Sequence, residues 1–470
     1  MKSTWNVQIL CALALLLLAT ACRGEQTPAA DLETDARFVS PEGDDDATGS
    51  ASAPWRTIQH AVDSVGPGGT IYVQEGVYHE AVVISNSGSE DGGYITLRNY
   101  PGHRPAIVGT GEDDAALVYI HSKHHLKIIG FELGPMRVSG GFPAAIWVLG
   151  ASHHVEIRDN YVHHVENDDD AHGIAVYGTA ADPAHDIVID GNEIAYCRLG
   201  SSESLVLNGN VEQFVVSNNL IHDNDNIGID IIGHEGKCAD GTLDRARDGV
   251  VVGNTVYNID SRGNPAYGEE RCADGIYVDG GTRIVIEKNV VHDCNIGIEL
   301  ASEHYGKDTS YVTVRDNWVY RSHTTGIAFG GYDERRGSTH HCEIVHNTLY
   351  ENDSDETGGG EISIQYDTHD NTIEHNVIYA GPQSLFISND YIENAANRLD
   401  HNVYYSPGGP DGSEWYWKGE QYTAFTAWQR GSGNDLHSLF GDPGLRDPAS
   451  GDLHVEPGSI AAGAGAALDP

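Results

Sequence analysis

RIVIEKNVVHDCNIGIELAS (residues 283–302) contains two short apolar runs joined by a turn. In the first, IVIEKNVV, a short apolar run leads through Glu287 and Lys288 to Asn289, which precedes a second apolar pair. The pattern occurs nine times: VEIRDNYV, IVIDGNEI, FVVSNNLI, VVVGNTVY, IVIEKNVV, VTVRDNWV, CEIVHNTL, NTIEHNVI and NRLDHNVY. The aligned residues are Asn160, Asn192, Asn219, Asn254, Asn289, Asn317, Asn347, Asn376 and Asn402, spaced 26 to 35 residues apart. A second strand follows each of the first eight copies: GIAVYG, SLVLNG, GIDIIG, GIYVDG, GIELAS, GIAFGG, EISIQY and SLFISN. A period of two marks strands whose alternate residues face in and out. One such unit cannot bury an apolar face, but stacked units can, so the fold class is all-β and the architecture a coiled β-solenoid. The asparagines then stack at one turn, where their amides bond along the axis.

The ends support the same reading. FVSPEGDDDATGSASAPWRTIQHAVDSVGPGGTIYVQEGVYHE (38–80) and ITLRNYPGHRPAIVGTG (95–111) resemble the opening segment of right-handed parallel β-helix proteins, especially secreted polysaccharide lyases. In that resemblance TIQHAVDSV is an N-terminal capping helix, and Ile58, Ala61, Val62 and Val65 have helical spacing. A cap is needed because an open solenoid end exposes strand edges and core. DPGLRDPASGDLHVEPGSIAAGAG (442–465) resembles a closing segment. EWYWKGEQYTAFTAWQ (414–429) reads as a packed tail over the last coils rather than a sugar platform. The expected organisation is a leader over 1–21, a linker over 22–36, a right-handed parallel β-helix over 37–405 and a C-terminal capping tail over 406–470.

Lys2 followed by LCALALLLLATA (10–21) is a secretory leader, too short for a bilayer span. Ala19, Thr20, Ala21 and Cys22 resemble a bacterial lipoprotein cleavage box, which implies export and an outer-membrane lipid anchor through Cys22; the alternative is an ordinary signal peptide. The net charge is −43, from 70 acidic and 27 basic residues. That excludes nucleic acid and anionic membrane surfaces as partners and suits a monomer that lives in salt or binds cations. Cys238 and Cys272, each opening a CADG tetrapeptide, are a candidate disulfide, with two free thiols as the alternative. Cys197, Cys294 and Cys342 read as small buried residues. The HH pairs at 124–125, 153–154, 163–164 and 340–341 have no metal-ligand spacing along the chain.

Matching slots in stacked strands form columns about 4.8 Å apart. The first outward column reads Ala175, Val206, Asp230, Tyr277, Glu299, Ala328, Ser363, Phe386. The second reads Tyr177, Asn208, Ile232, Asp279, Ala301, Gly330, Gln365, Ser388. Asp230, Asp279 and Glu299 therefore share one face, about 5–10 Å apart. Long loops flank them, and residues 234–336 hold 12 of the 27 Lys and Arg. Such loops on a rigid scaffold are where sites are built, so these coils are expected to floor a carbohydrate cleft.

Two chemistries fit that cleft. In calcium-assisted β-elimination on a uronic-acid-containing polysaccharide, Asp230, Asp279 and Glu299 hold Ca2+, a hard cation. Lys307, Arg335 or Arg336 is then the base or carboxylate clamp, and His234, Tyr277 or His304 assists. GIDIIG resembles the calcium strand of ninth-family pectate lyases, and GIAFGG resembles their base strand with Ala328 where lysine stands. Glu299, Glu303 and Lys307 resemble the acids and base of chondroitin and alginate lyases of this fold. The alternative is glycoside hydrolysis by an Asp/Glu pair about 6.5–9.5 Å apart. The polygalacturonase motifs are absent, as is the DPH motif of alginate epimerases. A non-catalytic carbohydrate-binding lipoprotein is the third reading, with Trp147, Tyr177, Tyr332, Trp415 and Trp417 as sugar-stacking candidates.

Overall fold

A computed structural model describes residues 33, 35–111 and 115–468. The leader, Cys22 and most of the expected linker lie outside the described residues. Among the described residues no helix is long and apolar enough to cross a membrane.

The chain from Arg37 onward winds into a right-handed parallel β-solenoid of about 12 turns, with 4% helix. Three long sheets run its length, one of 16 strands and two of 13. Their pairings are parallel except at the last pair of one sheet, Glu414–Trp417 with Glu420–Tyr422. The sheet that matters for function includes His172–Gly178, Leu205–Gly209, Ile229–Ile232, Asp274–Asp279, Ile296–Ala301, Thr325–Phe329 and Ile362–Ile364, neighbours in that order. The register stacks Ile174, Leu205, Ile229, Ile276, Ile298, Ile327 and Ile362 into one inward column. All seven are fully buried in a single core that follows the axis. β-branched and leucine side chains of near-constant volume at one slot let each coil fit the next without voids.

The nine asparagines form the expected ladder. Each of the first eight amides donates to Oδ1 of the next asparagine at 2.9–3.1 Å. Each of those eight backbone N–H groups donates to the same oxygen. The amides thus replace the ladder bonds that a turn cannot make for itself.

Both ends are closed. Helix Ile58–Ser64 is N-capped by Thr57, and Glu80 accepts from the N–H groups of Ile58 and Gln59 at 2.9 Å, a carboxylate at the positive end of the helix. At the other end the solenoid continues past residue 405. Glu414–Trp417 adds in parallel to Leu385–Ser388, and Leu439–Phe440 adds to Val403–Tyr405. Trp415 and Trp428, from helix Phe425–Ser432, are fully buried and stack at 6.1 Å, so Trp415 is core and not a sugar platform. Asp435 ends the ladder, accepting from Asn402 Nδ2, Tyr404 Oη, Trp428 Nε1 and Ser438 Oγ.

Two expectations need correction. All five described cysteines are free. Cys238 Sγ contacts Ala180 O at 3.4 Å and Cys272 Sγ contacts Ser261 Oγ at 3.6 Å, so each thiol has a local polar neighbour instead of the other. In the first outward column Ser363 pairs with Ser388 and not with Phe386, which is fully buried. The apolar pattern of SLFISN fits either slot, and burial of the Phe386 ring against Trp415 sets the register.

Candidate functional site

The register places Val206, Asp230, Tyr277, Glu299, Ala328 and Ser363 in one column. Asp279, level with Ala301, lies in the next column of the same face. Asp230 and Glu299 are two strands apart with Tyr277 between them, about 10 Å in backbone spacing. The predicted face is therefore real, but it is not an open floor. Asp230 is 2% exposed, Asp279 4%, Glu299 5% and Tyr277 5%. Loop and neighbouring side chains cover them. Glu303 N–H donates to Asp279 Oδ1 at 2.7 Å. The Gln365 amide, oriented to satisfy both of its atoms, donates to Glu299 Oε1 at 3.0 Å and Gly330 O at 2.8 Å.

Sequence reasoning missed two further buried acids, Asp274 and Glu203. Asp274 opens its strand and shares a hydrogen bond with Glu299. Its CADG tetrapeptide stands out for the cysteine, while the aspartate falls outside the alternating slots because it sits at the corner of the coil. Glu203 lies 3.2 Å from His172 Nδ1, outside hydrogen-bonding direction. It precedes its strand in SLVLNG, where no outward slot would mark it.

The electrostatics are one-sided. Burial, then the charges of Glu203 and Asp279, hold Asp230 well above the usual carboxylate range. Burial and then Glu299 do the same to Asp274, and burial and then Glu303 to Asp279. Burial raises Glu299 to about 7, against the opposing hydrogen bond from Asp274. Among the described residues no Lys or Arg forms an ion pair with Asp230, Asp274, Asp279 or Glu299. Oδ1 of Asp230 and Oδ1 of Asp274 are buried and lack any hydrogen-bond partner. Buried carboxylates that no Lys or Arg neutralises must take up protons or a cation. The donor set is all oxygen, the chemistry a hard divalent cation such as calcium prefers. Among the described residues no three of these carboxylates bring oxygens within 4.8 Å of one another, so a cation held by Asp230, Asp279 and Glu299 together requires their side chains to turn toward it.

The predicted basic residues divide. Arg335 is exposed and bound to Asp333, outside the cluster. Arg336 lies nearer, with Nη1 3.8 Å from Glu303 Oε2 and its guanidinium 4.1 Å over the Tyr332 ring. Lys307 is exposed and makes no ion pair among the described residues. It sits on the loop that carries Glu303 and His304, and Ser338 N–H bonds its carbonyl. His304 Nδ1 is buried without a partner. His234, with both ring nitrogens unpartnered and φ 74, is lowered to about 4 by burial, then by Arg245 and Lys307. Most of the remaining basic residues nearby are structural: Arg245 binds Gly280 O, Gly281 O and Asp308, and Arg271 binds Asp260.

An outward apolar cluster, Ala144, Ala175, Val206 and Ile232 with Trp147 and Tyr177, adjoins the acids on the N-terminal side. The Trp147 and Tyr177 rings meet edge to face at 5.9 Å. Cavities of about 370 Å3, at Asp353, Leu385 and Tyr416, and about 480 Å3, at Phe142, Asp168 and Pro265, are lined by none of the clustered acids. Their linings lack unpartnered buried carboxylates, so the chemistry points to the acid face instead.

The family profile described as "Pel9A-like, right handed beta helix region" matches residues 37–198, and "Right handed beta helix region" matches residues 137–349. "Uncharacterized protein YwoF" of Bacillus subtilis (strain 168) is 43% identical over 436 residues, 91% of this chain and 92% of that one. "Pectate lyase PEL9" of Emericella nidulans is 42% identical over 74 residues, 15% of this chain and 18% of that one. The solved structure of the PL6 family alginate lyase AlyGC superposes with a TM-score of 0.54 at 13% identity, covering 93% of this chain and 57% of that one. That likeness is one of fold.

Proposed function

The chain belongs to the pectin-lyase-like right-handed β-helix family, and on that premise we propose a carbohydrate-active enzyme that cleaves a uronic-acid-containing polysaccharide by cation-assisted β-elimination. One observation carries this reading: a buried all-oxygen acid cluster with unpartnered carboxylate atoms, beside a loop that presents an unpaired lysine. Asp230, Asp279 and Glu299 would hold calcium, with Asp274 and Glu203 beside them. When bound, the cation supplies positive charge that binds the substrate carboxylate and acidifies the adjacent C–H. Lys307 accepts that proton from the loop side, and Arg336 holds the substrate carboxylate. His304, whose Nδ1 has no other partner, protonates the leaving oxygen. Trp147 and Tyr177 give the sugar chain an apolar flank. Export and attachment through Cys22 belong to the same proposal, since a polysaccharide substrate lies outside the cytoplasm.

A second reading has its own support. Glu299, held near pH 7, has the protonation behaviour of a glycosidase acid, and Asp230 stands about two strand spacings away.

The test incubates the mature chain with uronic-acid and neutral polysaccharides, with calcium or with chelator. Product absorbing in the ultraviolet, lost with chelator and in Glu299→Gln, is the expected result. Reducing ends without that absorbance would transfer the assignment to hydrolysis. No cleavage of any polymer by the folded protein would overturn both.

A further inference from the structure

The histidine pairs without ligand spacing along the chain acquire it between coils. His153 lies level with His124 on one side and His185 on the other. The next residue in each coil, His125, His154 or Asp186, is left-handed, with φ 54, 52 and 52. In an extended strand the second side chain of each pair would turn to the opposite face. The left-handed residue breaks that alternation and keeps both side chains on the outer surface.

The consequence is a convergence of donor atoms. His124 and His125 bring their Nδ1 atoms to 3.1 Å, and His153 and His154 bring theirs to 2.9 Å. His185 Nδ1 is 2.7 Å from Asp186 Oδ2, which is 3.7 Å from His154 Nδ1. The donor atoms of His125, His153 and His154 all lie within 4.8 Å of one another, as do those of His154, His185 and Asp186. Two nitrogens bound to one ion at about 2.0–2.1 Å are about 2.9 Å apart at a right angle and about 3.4 Å apart at the tetrahedral angle. The His153–His154, His185–Asp186 and His154–Asp186 separations fall in that range or just outside it, and the other donors of each triad lie within 4.8 Å. All five groups are half-buried and so reachable by an ion from solvent.

Ring stacking alone does not explain the arrangement. His222, Tyr257, His292 and Tyr320 also stack, at 4.7–5.0 Å. There tyrosines alternate with histidines, and no three-donor set forms among the described residues. The left-handed device with convergent donors recurs at His341, His369 and Asp370.

We propose that His125, His153, His154, His185 and Asp186 form a site for a borderline divalent transition ion of the zinc, nickel and copper class. Imidazole nitrogens with one carboxylate select such ions over calcium, which prefers oxygen. The site lies on a different sheet from the acid cluster and does not rest on the catalytic reading.

The test is zinc binding by equilibrium dialysis in excess calcium, on wild type, His153→Ala/His154→Ala, and Glu299→Gln. The expected result is micromolar zinc in wild type and in Glu299→Gln, with one equivalent lost or weakened at least tenfold in the double variant. Copper bound to wild type should also show nitrogen couplings from two or more imidazoles in its paramagnetic resonance spectrum, a readout that needs no variant to fold. Zinc binding unchanged in the double variant would overturn the proposal. So would the absence of binding below millimolar zinc, or a copper spectrum without imidazole nitrogen.

Discussion

Asp230 carries a carboxylate into a position where no side-chain cation meets it and one oxygen accepts no hydrogen bond. Asp230→Asn keeps the shape and removes the charge, and so relieves repulsion from Glu203 and Asp279. In chelator the variant should therefore melt higher than wild type. Wild type should gain stability from calcium, about 2.7 kcal/mol at a hundredfold excess over Kd, and Asp230→Asn should lose most of that gain. A variant that melts lower in chelator and keeps the calcium response would remove Asp230 from the cation site. Lys307→Ala separates binding from chemistry. An exposed base outside the cluster should lower kcat by about 10²–10⁴ on its removal while leaving the calcium-induced melting shift intact. If kcat holds, the proton goes to another group, and His234, neutral and unpartnered, is the next to replace.

At the scale of the element, the ladder and its closing residue make a graded comparison. Asn289→Ala removes one amide from the middle of the stack and leaves Asn254 and its backbone without an acceptor. The expected cost is about 1–3 kcal/mol. Asp435→Ala removes the acceptor for four donors at once, all in the capped end, and should cost more. Urea unfolding measures both; equal losses would mean that the cap does not anchor the ladder. The ladder was legible because its residues recur at one slot with one chemistry. Asp230, Tyr277 and Glu299 were legible for the same reason, since a period of two fixes which residues share a face. Asp274, Glu203 and the His125–His154–Asp186 set were not, because corners and left-handed residues break that period. Burial of the acids was equally hidden. It depends on where the long loops settle, and their glycines and charges leave that open in one dimension.

Over the whole molecule, the proposed cation site would set calcium against protons for the same buried acids. Glu299 is raised from 4.5 to about 7 in the folded chain. Between those values the folded state binds more protons than the unfolded state, so this group's effect is to make stability fall as pH rises. The half-buried histidines act in the opposite sense. His234 and His153, lowered from 6.5 to about 4, contribute stability that is present above 6.5 and lost as pH falls toward 4. Total stability against pH therefore mixes two opposed slopes with the self-repulsion of a chain of net charge −43. The difference between wild type and Glu299→Gln cancels the shared contributions. In chelator, that difference should shift against wild type from pH 5 to pH 7, by at most about 1.4 kcal/mol per pH unit for one proton, and level off above pH 7. With saturating calcium the trend should reverse, because the cation binds the ionised wild-type cluster and rising pH removes its competitor. Denaturant melts at four pH values, with and without calcium, measure it. A wild-type-minus-variant difference flat with pH in chelator would show Glu299 to be already ionised and compensated, and would leave the cluster without its demand for a cation.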